Sequence, residues 1–254
     1  MVGFYRAFVA LQAAKIMAGF RPKPGSRIDE DLPLGLKIGG SILFENATVF
    51  ILAEGAGHQV RQPKEGVAKV SAWGRMPSNG NTLHRFYLDS GDEGDDLLQV
   101  VAGPDGKVVP GEIRLFRLIR ELAPSTPEEW TVWLPGNPDD PNERYLVGYK
   151  QLDVPGGANY TRMWPQEGPE QVVPIELQES VNADPYGSDT VFVTHRAMLY
   201  GRSLPRPETF LPGTQVPDEW IWLQVSEHQD QAMVQLYAGL TIEPGDLRVV
   251  QPGA

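Results

Sequence analysis

The chain contains no cysteine. Thiol catalysis, thiolate metal centres and disulfides are therefore excluded, and the composition suits a reducing compartment. Positive charge is scarce: 22 Lys and Arg stand against 33 Asp and Glu, a net charge of −11 over 254 residues. Sequence-independent nucleic-acid binding relies on clustered Lys and Arg, so no nucleic-acid partner is expected. No apolar run approaches the roughly 20 residues of a transmembrane helix. Histidine occurs only at His58, His84, His195 and His228, without HExxH spacing, and neither GxGxxG nor GxSxG occurs. No catalytic residue, metal or cofactor is assigned on motif grounds.

What is present is β signal. Residues 81–101 read as one hairpin, with Leu83, Arg85, Tyr87 and Asp89 on one face and His84, Phe86 and Leu88 on the other. The polar loop at 90–96 turns the chain, and residues 97–101 return as an apolar strand. That loop lacks the spacing of an EF-hand and reads as a solvated tip. Both strands carry more apolar mass than a surface hairpin needs, which places them centrally in a sheet.

Short strands are expected throughout: within 35–44, at 47–53 (ATVFILA), 58–62, 67–73, 144–150, 159–164, 172–181, 190–202, 220–227, 232–242 and 247–250. Residues 111–122 fit both a strand and a helix, and a strand is favoured at their start. Thr126-Pro-Glu-Glu129 is a helix start: Thr126 caps, Pro127 needs no partner for its missing N–H, and two acids face the helix dipole. A short helix over 127–134 should bury Trp130, Trp133 and Leu134. Residues 4–19 read as a helix that stops at Gly19, and 21–35 as a Pro- and charge-rich linker. Lys15 interrupts the apolar stretch, so a secretory signal fits poorly.

These signals predict a mainly β fold of antiparallel sheets, forming a sandwich or a partly open barrel, with the N-terminal helix and the one short helix added. Residues 1–34 form the helix and linker, and 35–250 a single β-rich domain with a candidate sub-domain division near 136–143.

Two His-Arg pairs fall within predicted strands, His84-Arg85 and His195-Arg196, and their members face opposite ways. The sharper reading is a ligand site built from His84, Arg85, Tyr87, His195, Arg196, Tyr200 and Arg202, in which guanidinium clamps an anion and imidazole works as acid or base. The plainer reading is that buried Arg and His pair with carboxylates to pin strand register. Trp220 and Trp222 share a face and read as core.

Several strings taken together resemble the YjfK-like family of bacterial proteins, domain of unknown function 2491. They are LHRFYLD at 83–89 with LQVV at 98–101, EIRLF at 112–116, Glu129-Trp130, YTRMW at 160–164 and HRAMLYGR at 195–202. The resemblance carries no catalytic residues over. It implies a setting beside PspA-type membrane-remodelling proteins, small membrane proteins and an ATP-grasp ligase resembling glutathionylspermidine synthase. That setting implies a cytoplasmic accessory at the periphery of the inner membrane, serving envelope maintenance and envelope stress. Two functions follow: a non-enzymatic module that binds a protein partner, membrane-associated in this setting, or a small-anion binding protein or enzyme using the His/Arg/Tyr cluster.

Overall fold

Because a strand's side chains alternate in direction, a sheet with two apolar faces must bury both. The protein does so by closing the sheet on itself and covering the outside. A computed structural model describes residues 26–252, except 46–47, 55–59, 61, 64–65, 91–94, 137–139, 141–143, 155–157, 189, 207, 209–215 and 230. The elements are β1 (Ser41–Phe44), α1 (Thr48–Glu54), β2 (Val67–Ser78), β3 (Asn81–Asp89), β4 (Asp96–Ala102), β5 (Val108–Leu122), α2 (Pro127–Thr131) and β6 (Gln151–Val154). They continue with β7 (Ala158–Arg162), β8 (Ile175–Asn182), β9 (Thr190–Ser203), β10 (Asp218–His228), β11 (Gln231–Thr241) and β12 (Leu247–Val250).

The strands run β2-β3-β4-β5-β11-β10-β9-β8, and β8 pairs back onto β2, closing an eight-stranded antiparallel barrel. The expected sheet architecture is thus a closed barrel, neither a sandwich nor a partly open one. Two long strands divide their length. β2 pairs with β1 through Val67–Lys69 and with β8 through Trp73–Arg75. β9 pairs with β8 along its first part and with β7 near Tyr200 and Gly201. Register shifts at Val70/Ala72, Val100/Ala102 and Leu236/Tyr237 supply the local bends that closure requires. Strands from both sides of residues 136–143 share the barrel.

The inward face collects Met76, Leu83, Tyr87, Phe116, Trp222 and Tyr237. The outward face of the same strands carries Phe86, Leu98, Ile113, Leu223 and Leu240 into a second, larger core. The opening hairpin is therefore buried on both sides, as its apolar mass required. The interior is filled by large side chains passing over glycines. A Cβ on Gly74 would lie 1.8 Å from Glu179 Oε1, and one on Gly239 would lie 2.4 Å from the Phe116 ring.

Several expectations change. The run at 47–53, expected as a strand, is helix α1. Phe50 and Ala53, three apart, are buried while Ile51 is 62% exposed, and Phe50 meets Phe44 edge-on, so packing overrides the β-branched composition. Residues 144–150 form a turn with a single bridge, Tyr149 to Gln171, and not a strand. Gly148 explains this: its φ is 110°, and a Cβ there would lie 2.1 Å from the Val172 carbonyl. β6 was not expected at all. Residues 111–122 lie wholly within strand β5. Helix α2 is capped as expected, Thr126 Oγ1 accepting from Glu129 N at 3.2 Å, while the Glu129 carboxylate accepts from Ser125 N at 2.6 Å. It ends at Thr131, and Trp130, Trp133 and Leu134 stay half-buried against the outer core.

The helix expected at 4–19, and most of the strand expected at 58–62, lie outside the described residues. From Arg27 onward the N-terminal strap is tied to the barrel, Ile28 N donating to the Pro185 carbonyl and Gly39 N to the Val70 carbonyl of β2, both at 2.8 Å, and it is braced from within. Asp29 is fully buried, takes two bonds of 2.8 Å from Arg27, and accepts from Ile38 N at 2.7 Å. Among the described residues no helix is long and apolar enough to cross a membrane.

Candidate functional site

Inside the barrel, polar side chains occupy inward positions between the apolar ones. Arg85 follows Leu83 on β3, Glu179 lies between Leu177 and Val181 on β8, and His195 between Val193 and Ala197 on β9. All three are almost fully buried. They meet at Glu179. His195 Nε2 lies 2.7 Å from Glu179 Oε2, Arg85 Nη1 lies 3.6 Å from the same oxygen, and Tyr87 O–H donates to the carboxylate at 2.9 Å. Gly74 gives Glu179 the room to reach across β2. The Arg85 guanidinium also stacks 4.7 Å over Trp222 on the opposite wall, and its Nε donates to Gln99.

The network continues on β10 and β11. His195 Nδ1 lies 3.0 Å from Ser226 Oγ, and Gln224 Nε2 donates to Ser226 Oγ and to Gln235 Oε1, both at 2.9 Å. Trp222 Nε1 donates to Gln224 Oε1 at 2.6 Å, and Gln235 Nε2 donates to Glu121 at 2.9 Å.

Burial would raise the Glu179 carboxyl, but the Arg85 charge, with bonds from His195 and Tyr87, outweighs it and holds the group below the ordinary carboxylate range. Burial pushes His195 down; Glu179 opposes that and Arg85 adds to it. His195 is therefore a neutral imidazole that donates from Nε2 to Glu179 and accepts at Nδ1 from the Ser226 hydroxyl. Gln235 Oε1 is then served by the Gln224 amide. One guanidinium and one carboxylate cancel, so the interior carries no net charge from this group. Burial pushes the Tyr237 phenol up as well. Gln99 Nε2 is a buried donor without a partner among the described residues.

The structure thus brings Arg85, Tyr87 and His195 together and separates the other candidates. Arg196 points outward and donates to Glu227 at 2.6 Å, a half-exposed pair. Tyr200 lies on the outer face, donates to the Leu146 carbonyl at 3.1 Å and accepts from Gly148 N at 2.9 Å, fastening the 146–148 turn. Its phenol is raised to about 12, mainly by burial. Arg202 contacts Glu219 at 2.6 Å and lies 4.8 Å over the Tyr160 ring, and Tyr160 O–H donates to the same carboxylate at 2.6 Å.

His84 is also on the outside, stacked on Trp73, whose Nε1 donates to His84 Nδ1 at 3.1 Å. Burial, helped by the neighbouring Arg75 charge, lowers His84 to about 4. His84 and Arg75 line an open groove closed on its far side by the strap at 26–33. Among the described residues no group of His, Asp and Glu could hold a metal ion.

Sequence reasoning missed Glu179, Ser226, Gln224 and Gln235. The signal was available: each is a polar residue on the apolar face of an alternating strand, as in IELQESVN and WIWLQVSE. Neither a curated protein nor a solved structure matches the chain. A family model does match, over residues 4–248, and on that match the chain belongs to the family described as "Protein of unknown function (DUF2491)".

Proposed function

We propose that the protein is a non-catalytic interaction module, a cytoplasmic accessory that binds a membrane-associated protein partner in bacterial envelope maintenance. The observation that carries this reading is that the strongest catalytic candidates are neutralised from within. Glu179 takes Arg85 and His195, Glu219 takes Arg202, Glu227 takes Arg196, and Tyr200 is spent on backbone. A clamp for an anion needs free guanidinium, and here the protein's own carboxylates hold the place such a ligand would take. The envelope setting rests on the YjfK-like resemblance, and PspA-type proteins are the partners it favours.

The test is truncation at residue 25, which keeps Arg27 and Asp29 in place. The shortened chain should melt as the full one does and lose capture of a purified PspA-type protein from the same genome. Undiminished capture, or no capture by the full chain, would overturn the reading. So would turnover of any small substrate that His195→Gln abolishes without changing Tm.

A further inference from the structure

The outer groove at His84 holds charged groups that the fold leaves unused. His84 is 8% exposed, yet only its Nδ1 is engaged, by the Trp73 indole N–H. An indole can only donate, so Nδ1 accepts and Nε2 carries the hydrogen. That N–H has no partner among the described residues and borders the groove. The groove leaves that N–H accessible, so a ligand that enters can take it as a fixed donor. Arg75, directly across the β2–β3 ladder from His84, is exposed and makes no ion pair among the described residues. The half-buried Thr82 adds a hydroxyl on the same wall.

The opposite wall carries the reverse charge in balance, because Arg27, which also lines it, is paired with the buried Asp29. Glu30 and Asp31, on the strap anchored by Asp29, line the same groove, are exposed, and make no ion pair among the described residues. The groove between the walls is about 780 Å³, a size suited to a small molecule. Opposite charges thus share one cleft and do not close on each other. A simple anion would meet the acidic wall, and a simple cation would meet Arg75. A molecule with both charges at its two ends satisfies both walls, and the stacked Trp73 and His84 rings give an apolar floor for the methylenes between.

We propose that this groove binds a small zwitterion, its carboxylate held by Arg75 and His84 Nε2–H and its ammonium by Glu30 and Asp31. The ligand class is amino acids, ω-amino acids and short peptides. His84 is neutral at pH 7, so it serves as a fixed donor and Arg75 supplies the charge. This site is independent of any protein partner.

The probe is the ω-amino acid series from glycine to 6-aminohexanoate, titrated into the full chain by calorimetry, with the His84 ring resonances followed by NMR. Affinity should peak at one chain length, with Kd of about 1 mM or tighter, and the His84 signals should shift. Hexanoate and hexylamine, each with one charge, should bind at least about tenfold more weakly. Arg75→Gln should abolish binding of zwitterion and carboxylate alike. The Glu30→Gln, Asp31→Asn double variant should weaken the zwitterion and leave hexanoate unchanged or tighter. These side chains are exposed, so the variants should keep the wild-type Tm. The proposal is overturned if no member of the series saturates by about 10 mM, if the single-charge halves bind as well, or if both variants bind as the wild type does.

Discussion

Replacing Glu179 with Gln changes one atom and should unsettle the whole barrel interior. Glu179 is fully buried and receives donors from three directions: Tyr87 O–H, His195 Nε2–H and the Arg85 guanidinium. A carboxylate only accepts, which suits this convergence. An amide must place its NH2 group against at least one of those donors. Gln also leaves the Arg85 charge uncompensated in the interior, and losing one partner of a buried ion pair costs about 3–5 kcal/mol. Total stability is on the order of 5–15 kcal/mol, so Glu179→Gln should cost a large part of it. Urea unfolding at pH 7 measures the loss directly. Arg85→Met should be milder, because the remaining carboxylate then favours a protonated His195, and the two can pair. The double variant should be more stable than the two single losses predict, by about 1–3 kcal/mol. Because Glu179 lies below its ordinary value of 4.5, its contribution is complete above that pH and fades as pH falls through the folded value. The variant should therefore lose less stability on acidification than the wild type. A Glu179→Gln loss under about 1 kcal/mol, or strict additivity with Arg85→Met, would refute charge compensation as the role of this residue.

Gly74 tests the same centre by crowding. A Cβ there meets Glu179 Oε1 at 1.8 Å, and the carboxylate is held by its three donors, so Gly74→Ala should cost about 3 kcal/mol in urea unfolding. The same change at Gly80, which has open space and φ of 81°, should show only the backbone penalty of about 1 kcal/mol. His84 gives an acid-side signature. Its value falls from 6.5 to about 4 on folding, so between those pH values the unfolded chain takes up a proton that the folded chain refuses. Stability should fall across that window by about 1.4 kcal/mol per pH unit, reaching about 2–3 kcal/mol, and stay level above pH 6.5 for this group. His84→Gln should remove that slope, and an NMR titration placing His84 near 6.5 would refute it.

Periodicity made most of the strands legible. The 81–101 hairpin, the run at 190–202 and the pair at 220–227 and 232–242 all have apolar residues on every other position, and each forms a strand within two residues of the expected limits. Where composition replaced periodicity the reading failed. ATVFILA has β-branched residues but no alternation to use, and Phe50 with Ala53 buries a helical face instead. At 144–150 the apolar residues alternate well enough, but at Gly148 the backbone leaves the extended region, with φ of 110°, and the strand is interrupted. Closure of the barrel was not legible because it depends on the three-residue contact of β2 with β8, about a hundred positions apart in sequence. The candidate site was half legible. Alternation placed Arg85 and Tyr87 on one face and His84 on the other. Nothing local said that Glu179 would arrive opposite Arg85, since that meeting also depends on the β2–β8 seam.

The same register links the interior to the outer groove. On β2 and β3, Gly74 faces inward beneath Glu179 while Arg75 faces outward, and Arg85 faces inward while His84 faces outward. A one-residue slip of this pair would send Arg75 into the barrel and expose Arg85, because strand side chains alternate in direction. Two features oppose such a slip. The register shift at Val70/Ala72 fixes the phase of β2, and Glu179 has room only above a glycine. An unpaired guanidinium in the interior would cost several kcal/mol, so the buried ion pair discriminates against the wrong register more strongly than it stabilises the right one. The interior network then acts at a distance on the groove: by holding β2 and β3 in phase, it keeps Arg75 and His84 side by side on the surface that a ligand can reach.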